Sequence, residues 1–403
     1  MAGVLDLNVD IGSGRLSGVA DHPVASLNLS THHPSTHGLI RLHLQLDDEI
    51  IVAARTEIGY MHRGAEKLLE SRDYRQGLAL TNRHDWLGAF SGELGYALAV
   101  ESMLGLDVPE RAQWLRTGVA ELSRIISHLY FLDYFPVESV AATHEIDDTY
   151  PPGVSAMSLE DQTRAASHRE RAQQLLEALT GGRVHPMYVQ IGGLRQDVPA
   201  GWLTELTSFI SITRAQFDHI APYLDIDYIT EQLRSMGVIS NALAMAHGAS
   251  GAVGRASGVD VDLRRDQPYA AYAELGDAVK VMTAEDGDVL SRLLLLRAQI
   301  QVSLDILERC VAKLDQLHGP INVALPKTLR APEGIHYGWS ETPLGIGGYL
   351  VVSHGEKTPW RVHMRTPSFA HAALLSDILV GEPIGNLAPI VGSLFVITGD
   401  ADR

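Results

Sequence analysis

The 403-residue sequence predicts an α+β fold that is mainly α: a central bundle of long helices, an N-terminal β-hairpin and a small β-containing C-terminal cap. Three observations predict it. Apolar and polar residues alternate over 38–57, apolar residues recur at helical spacing through the middle of the chain, and glycine and proline crowd the last seventy residues.

The hairpin is read first. From Gly38, Leu42, Leu44 and Leu46 alternate with Arg41, His43 and Gln45, the period of a half-buried strand; "DDE" at 47–49 turns it and "IIVAARTEIG" returns. Beyond Pro109, Leu115, Val119, Leu122, Ile126 and Leu129 mark an amphipathic helix. Ser158 with Asp161 resembles a capping box, and "TGG" ending at Gly182 stops a second helix. A third runs from Asp288 to Leu317 and is closed by "HGP". The run "GYLVVSHG", set among Gly345, Gly347, Gly348 and Gly355, supplies the strands of the cap. The predicted organisation is an extension over 1–26 and one domain over 27–403, divided into a hairpin region (27–73), a helical bundle (74–330) and the cap (331–403). No repeat at solenoid period interrupts it.

Composition excludes several classes of function. A formal net charge of −17 without any Lys/Arg-rich block repels phosphate backbones, so nucleic acid is not an expected partner. No stretch reaches the roughly 18 uninterrupted apolar residues of a spanning helix. The first residues, MAGVLDLNVDIGSG, have neither a basic region nor an apolar signal core, so membrane association is expected only through a partner. The single cysteine, Cys310, cannot by itself provide the roughly four thiolates of an iron–sulfur cluster or the pair of a cysteine-rich zinc site.

"NLSTHHPSTHGLIRLHLQL" packs His32, His33 and His37 into six residues. Metal ligation is one reading, but the HExxH spacing is absent and no carboxylate lies nearby in the segment. A turn shaped by Pro34, Ser35 and Thr36 is the second. In the third, His37, directly before Gly38, projects an imidazole that exchanges protons near neutral pH, as proton-coupled redox chemistry requires.

"HHPSTHGLIRL", "IGYMHRGAEKLLE", "AVESMLGLDVPERAQWLR", "ELSRIISHLYFL", "RASGVDVDLRRDQPY" and the closing "GDADR" run in order through 27–403. Together they resemble the D subunit of the NADH-quinone oxidoreductase family, respiratory complex I, whose fold is shared with the large subunit of nickel–iron hydrogenases. The resemblance implies a subunit that binds no cofactor of its own. It would wall a chamber in which a quinone, the substrate, takes two electrons from a 4Fe-4S cluster held by a partner, the B subunit. Subunits B, C, H and I are the implied partners, and the place is peripheral, on the cytoplasmic face of the cell membrane. The isolated chain would be inactive, with the NADH site on other subunits. Aligned on "RHDWLG" and "VITGD", the hydrogenase thiolate positions fall on Asp85, Gly88, Ile397 and Asp400, so nickel and iron would have none of their four ligands.

Carried over residue by residue, the second histidine of the HPSTHG motif, which hydrogen-bonds a quinone carbonyl, matches His37, and its acidic partner falls on Glu138, one methylene longer than the family Asp. Trp86 stands where the family has a tyrosine that donates to the headgroup. An indole N–H donates a hydrogen bond but releases no proton. Read from the residues alone, Trp86 equally fits core packing with Phe90. Arg63, Arg83 and His128 match positions that face the partner's cluster; alternatively Arg63 pairs with Glu66 and His128 is a satisfied helix histidine. Further departures, His32, Gln190, Ile346, His354 and Phe395 where the family has other polar or charged groups, mark a divergent paralogue with altered quinone handling, or else a structural bridging subunit.

Overall fold

A computed structural model describes residues 8–12, 24–29, 38–137, 140 and 159–403. His32, His33, His37, Glu138 and Ser158 lie outside the described residues.

The expected hairpin is β3 (Ile40–Asp47) and β4 (Ile50–Glu57), antiparallel. Ile40, Leu42 and Leu44 are fully buried, as the alternation requires, and Asp48 takes φ 54° in the tight turn. The sheet is larger than a hairpin: β1 (Asn8–Gly12) and β2 (Val24–Leu29) extend it to four antiparallel strands in the order β1-β2-β3-β4. The outer edge of β4 is covered where Ile51 N–H donates to Glu382 O at 2.9 Å and Gly381 N–H to Ile51 O at 2.8 Å, which leaves fewer unpaired strand groups.

Short helices α1 (Ala65–Glu70) and α2 (Tyr74–Thr81) lead into α3 (Ala89–Leu104) and α4 (Glu110–Asp133). The bundle continues with α5 (Leu159–Thr180) and α6 (Trp202–Ala215) and, after several short turns of helix, α7 (Val289–Gln316). The predicted boundaries follow from local chemistry. The Asp288 carboxylate accepts from Ser291 N–H to start α7, and Gly181 takes φ 79° to end α5. α4 packs against α7 and α5, and α6 against α7. Cys310 of α7 is fully buried and faces Gly118 of α4.

α4 departs from the amphipathic reading. It is buried on every side from Trp114 to Leu129, including Arg116, Glu121, Arg124 and His128, because its polar stripe meets opposite charges supplied from far along the chain. Glu121 lies 3.3 Å from Arg124 and 3.2 Å from Arg264, which lies 2.7 Å from Asp262; Arg255 reaches Asp262 at 3.2 Å and Glu341 at 3.0 Å. Three carboxylates and three guanidinium groups thus neutralise one another in the interior, the condition under which buried charge is tolerated. The attraction of Arg124 and Arg264, with hydrogen bonds from Ser303 and Tyr272, overcomes burial and holds the Glu121 carboxyl down at about 2.

The cap is a three-stranded antiparallel sheet, β7 (Gly334–Thr342), β8 (Gly345–Ser353) and β9 (Arg361–Arg365), numbered after the short pair β5 (Val189–Gln190) and β6 (Gly193–Leu194). β7 and β8 lie on α3. Helices α8 (Pro367–Ile378) and α9 (Thr398–Ala401) follow, α8 packing on β4 and on α9. Among the described residues no helix is long and apolar enough to cross a membrane.

Candidate functional site

The loop before α3, strand β8 and helix α9 converge on a small polar cavity lined by His84, Asp85, Gly88, Tyr349, Arg365 and Asp400, among others. About 10 Å³ of space is open within it, on the order of a single water. Asp85 turns the chain into α3: its Oδ1 accepts from Leu87 N–H at 3.1 Å and Gly88 N–H at 2.8 Å. Its Oδ2 is buried without a hydrogen-bond partner. Burial, and then the negative charge of Asp400, push the Asp85 carboxyl up to about 7. Asp400 receives Ser368 N–H on Oδ2 at 3.1 Å, and its Oδ1 lies 2.9 Å from His84 Nδ1. On the other edge of that imidazole, Nε2 lies 2.7 Å from the Tyr349 hydroxyl. Arg365 donates to Ile346 O and Gly248 O, which fixes it at the rim. Three of the four positions aligned with hydrogenase thiolates, Asp85, Gly88 and Asp400, therefore share one cavity, and the fourth, Ile397, accepts Asp400 N–H through its carbonyl at 3.0 Å.

Gly38 places the strand that follows His37 against this region. A Cβ on Gly38 would sit 2.4 Å from Thr398 Cβ and 2.8 Å from Met61 Sδ, and its φ of 148° disfavours any other residue. Asp402 then clasps the segment, its carboxylate accepting from Gly59 N–H and Met61 N–H, each at 2.7 Å.

A basic group lies on the surface beside the same loop. Arg63 and Arg83 are exposed, and Arg63 Nη2 donates to Arg83 O at 2.7 Å. The alternative pairing of Arg63 with Glu66 does not form. Residue 63 precedes α1, and Glu66 is taken by Arg361 at 2.7 Å and His363 at 3.0 Å. His185 joins the two arginines. Its Nδ1 lies 3.1 Å from Asn82 O, and burial followed by the charges of Arg83 and Arg63 lowers its pKa. Glu93, fully buried in α3, holds this arrangement by accepting from Met187, Tyr188 and Val189 N–H groups at 2.8–2.9 Å and from Asn82 Nδ2.

His128 lies in the interior of the fold. It lies within α4 with no exposed area, and burial followed by repulsion from Arg124, outweighing Gln299 beside it, keeps it neutral, well below its ordinary pKa. His185 was missed in the sequence; its signal was "GGRVHPMY", a histidine held by proline just after a helix stop.

Trp86 is half-buried, and its aromatic neighbour is Tyr130 of α4, edge-on at 5.5 Å. Tyr130 lies beside Tyr134 at 4.6 Å, and Arg169 covers both rings while reaching Asp133 at 3.4 Å. Burial, opposed by Arg169, pushes Asp133 up to about 7. Among the described residues no three His, Cys, Asp or Glu side chains converge to hold a metal ion, and burial drives the Cys310 thiol up, away from a ligating thiolate.

Comparison with known proteins matches residues 159–329 and 323–403 to the family described as respiratory-chain NADH dehydrogenase, 49 Kd subunit. The chain is 48% identical to the D 2 subunit of NADH-quinone oxidoreductase from Salinispora tropica, over 94% of this chain and 92% of that one. It is 46% identical to the D 1 subunit of NADH-quinone oxidoreductase from Streptomyces coelicolor, over 96% and 97%. A chain from the structure of the membrane-bound sulfane sulfur reductase, an archaeal respiratory membrane complex, superposes with a TM-score of 0.83 at 31% identity, covering 94% of this chain and 98% of that one.

Proposed function

The chain belongs to the 49 kDa subunit family of respiratory-chain NADH dehydrogenase, and from that premise we propose that it walls the quinone-reduction chamber of a complex-I-like NADH-quinone oxidoreductase and couples electron transfer there to proton translocation. The observation that carries the reading is the buried cavity of His84, Asp85, Tyr349 and Asp400, set behind a surface bearing Arg63, Arg83 and His185. The two features suit the two halves of the reaction. A cationic face raises the potential of an iron–sulfur cluster held by a partner and draws electrons to it. A buried polar pocket with proton-bearing groups serves the quinone that receives them.

In this reading the chain binds no cofactor; quinone is its substrate and the 4Fe-4S cluster belongs to the B subunit. Subunits B, C, H and I surround it on the cytoplasmic face of the membrane. His37, oriented by Glu138, donates to one headgroup oxygen, and Trp86 positions the ring. A second reading, a bridging subunit without quinone chemistry, is favoured by one observation: Trp86 has no proton to release where the family has a phenol.

The test is quinone reduction by the purified assembled complex, with the electron donor assayed alongside. His37→Ala is expected to lower turnover about 10²–10⁴-fold while assembly stays intact. Unaltered complex that assembles, accepts electrons and reduces no quinone would leave the bridging role standing instead.

A further inference from the structure

The proposed chemistry requires two protons for every quinone reduced, and the residues carried over from the family supply one donor, His37. A second donor is present in the cavity wall. Tyr349 of β8 is 3% exposed, and its ring packs edge-on against Tyr96 at 5.8 Å, which holds the phenol in place. Its hydroxyl lies 2.7 Å from His84 Nε2, and His84 Nδ1 lies 2.9 Å from Asp400 Oδ1. In the same lining, Asp85 Oδ2 is a buried carboxyl oxygen without a partner, costly to leave unmet; a water in the cavity can donate to it, and the protonated carboxyl can donate to an entering carbonyl oxygen. The space inside it holds a single oxygen, that of a headgroup carbonyl or of one bridging water, and no ring.

We propose that Tyr349, backed by His84 and Asp400, is the second proton donor to the quinone headgroup, taking over the task of the phenol that Trp86 replaces. The inference rests on the quinone-chamber reading above. Two electrons, passed one at a time by the partner's iron–sulfur cluster as the electron donor re-reduces it, reduce the headgroup, whose oxygens then need two protons. Tyr349 gives its hydroxyl proton to one oxygen, directly or through one water, and the His84 imidazolium returns its Nε2 proton to the Tyr349 oxygen. His84 ends neutral and still donates Nδ1–H to Asp400, while His37 serves the other oxygen. The positive charge lost at His84 equals the negative charge cancelled on the headgroup.

The geometry suits this cycle because both states of His84 keep both hydrogen bonds. Neutral, the ring accepts the phenolic hydrogen at Nε2. Charged, it donates there, and the phenolic hydrogen is free to turn into the cavity. Burial, and then the nearby Asp400 and Asp85, oppose ionisation of Tyr349, so the phenol must be refilled as it gives up its proton.

The experiment uses the assembled complex, a short-chain benzoquinone and, as a control that bypasses the chamber, an artificial one-electron acceptor. Tyr349→Phe removes one oxygen and preserves the ring. It is expected to lower benzoquinone turnover about 10²-fold or more, with KM and artificial-acceptor reduction unchanged. Adding Trp86→Tyr to Tyr349→Phe is expected to recover turnover. His84→Gln, which retains a hydrogen bond to Tyr349 and removes the proton, should show the same loss and the same rescue, and decides the matter should Tyr349→Phe fail to assemble. Turnover of Tyr349→Phe within about twofold of the unaltered complex overturns the proposal, as does a loss that Trp86→Tyr does not rescue in either variant. Unaltered complex that reduces no benzoquinone overturns the parent reading and this one with it, an outcome distinct from an active parent indifferent to position 349.

Discussion

Arg255 donates to the Glu341 carboxylate at 3.0 Å, joining the "RASGVDVDLRRDQPY" segment to the strand whose end reaches the cavity at Ser340 and Thr342. Both side chains are buried, and Arg124 secures the same strand by donating to Glu341 O at 2.7 Å and Thr342 O at 2.8 Å. The cavity wall is therefore held from two helices at once, by an ion pair from the short helix Gly251–Ala256 and by hydrogen bonds from α4 to backbone carbonyls.

Removing one member of this network should cost far more than removing a matched pair. Glu341→Ala leaves Arg255 buried and partly unpaired, and is expected to lower stability by about 3–5 kcal/mol. Replacing Arg255 and Glu341 together with Met and Leu is expected to cost less than the single change. Denaturant unfolding of both variants checks the order.

The buried acid Asp85 sets a direction for pH. Its folded-state pKa, about 7, lies above the ordinary carboxylate value of 3.8, so between those limits the folded chain keeps a proton that the unfolded chain has released. Stability contributed at this site is highest below about pH 4, falls as pH rises, and reaches its full penalty above about pH 7. Asp85→Asn, which can still accept from Gly88 N–H, is expected to shrink the fall in melting temperature between about pH 5 and about pH 8 relative to the unaltered chain.

The basic face and the buried histidine separate by spectroscopy. In redox-titrated EPR of the assembled complex, Arg63→Ala and Arg83→Ala are expected to lower the midpoint potential of the partner's cluster, because each removes an exposed cation. His185→Met should flatten the pH dependence of that potential. His128→Met should leave both unchanged, since a neutral imidazole inside α4 carries no charge for the cluster to sense. A shift produced by His128→Met alone would reverse this assignment.

Gly38 tests the seating of the histidine segment. Gly38→Ala brings a Cβ into Thr398 and Met61 at a φ of 148°, and is expected to cost about 1–3 kcal/mol. Quinone turnover should fall with it, through displacement of the neighbouring His37. A melting curve and a turnover assay on the same preparation check both.

What the sequence revealed and what it concealed divide by range. The hairpin, the three long helices and the strand "GYLVVSHG" were legible because period-2 and helical patterning, capping aspartate and terminating glycine act within a few residues. The four-stranded sheet was not, since nothing local in 8–12 or 24–29 announces its pairing with β3. The enclosure of α4 was hidden for a related reason: Arg264 meets Glu121 from 143 positions away, so a polar stripe that looks solvated is neutralised inside. The same limit governs two histidines. His128 follows a helix pattern whose depth depends on α7, whereas His185 reaches Arg63 and Arg83 only because Glu93 gathers three successive amides of the loop beyond it. Tyr349 and His84 could not be linked in advance, being 265 positions apart.

Asp402 fastens residues 59 and 61 from more than 340 positions downstream, and Thr398 fills the space that Gly38 leaves open. Closing loops of that span is slow, because chain entropy is surrendered before any contact repays it. During synthesis the strand that begins after Gly38 therefore stays unlatched until Thr398 and Asp402 have themselves been made. The polar cavity, which needs Asp400 as well as His84, closes no earlier.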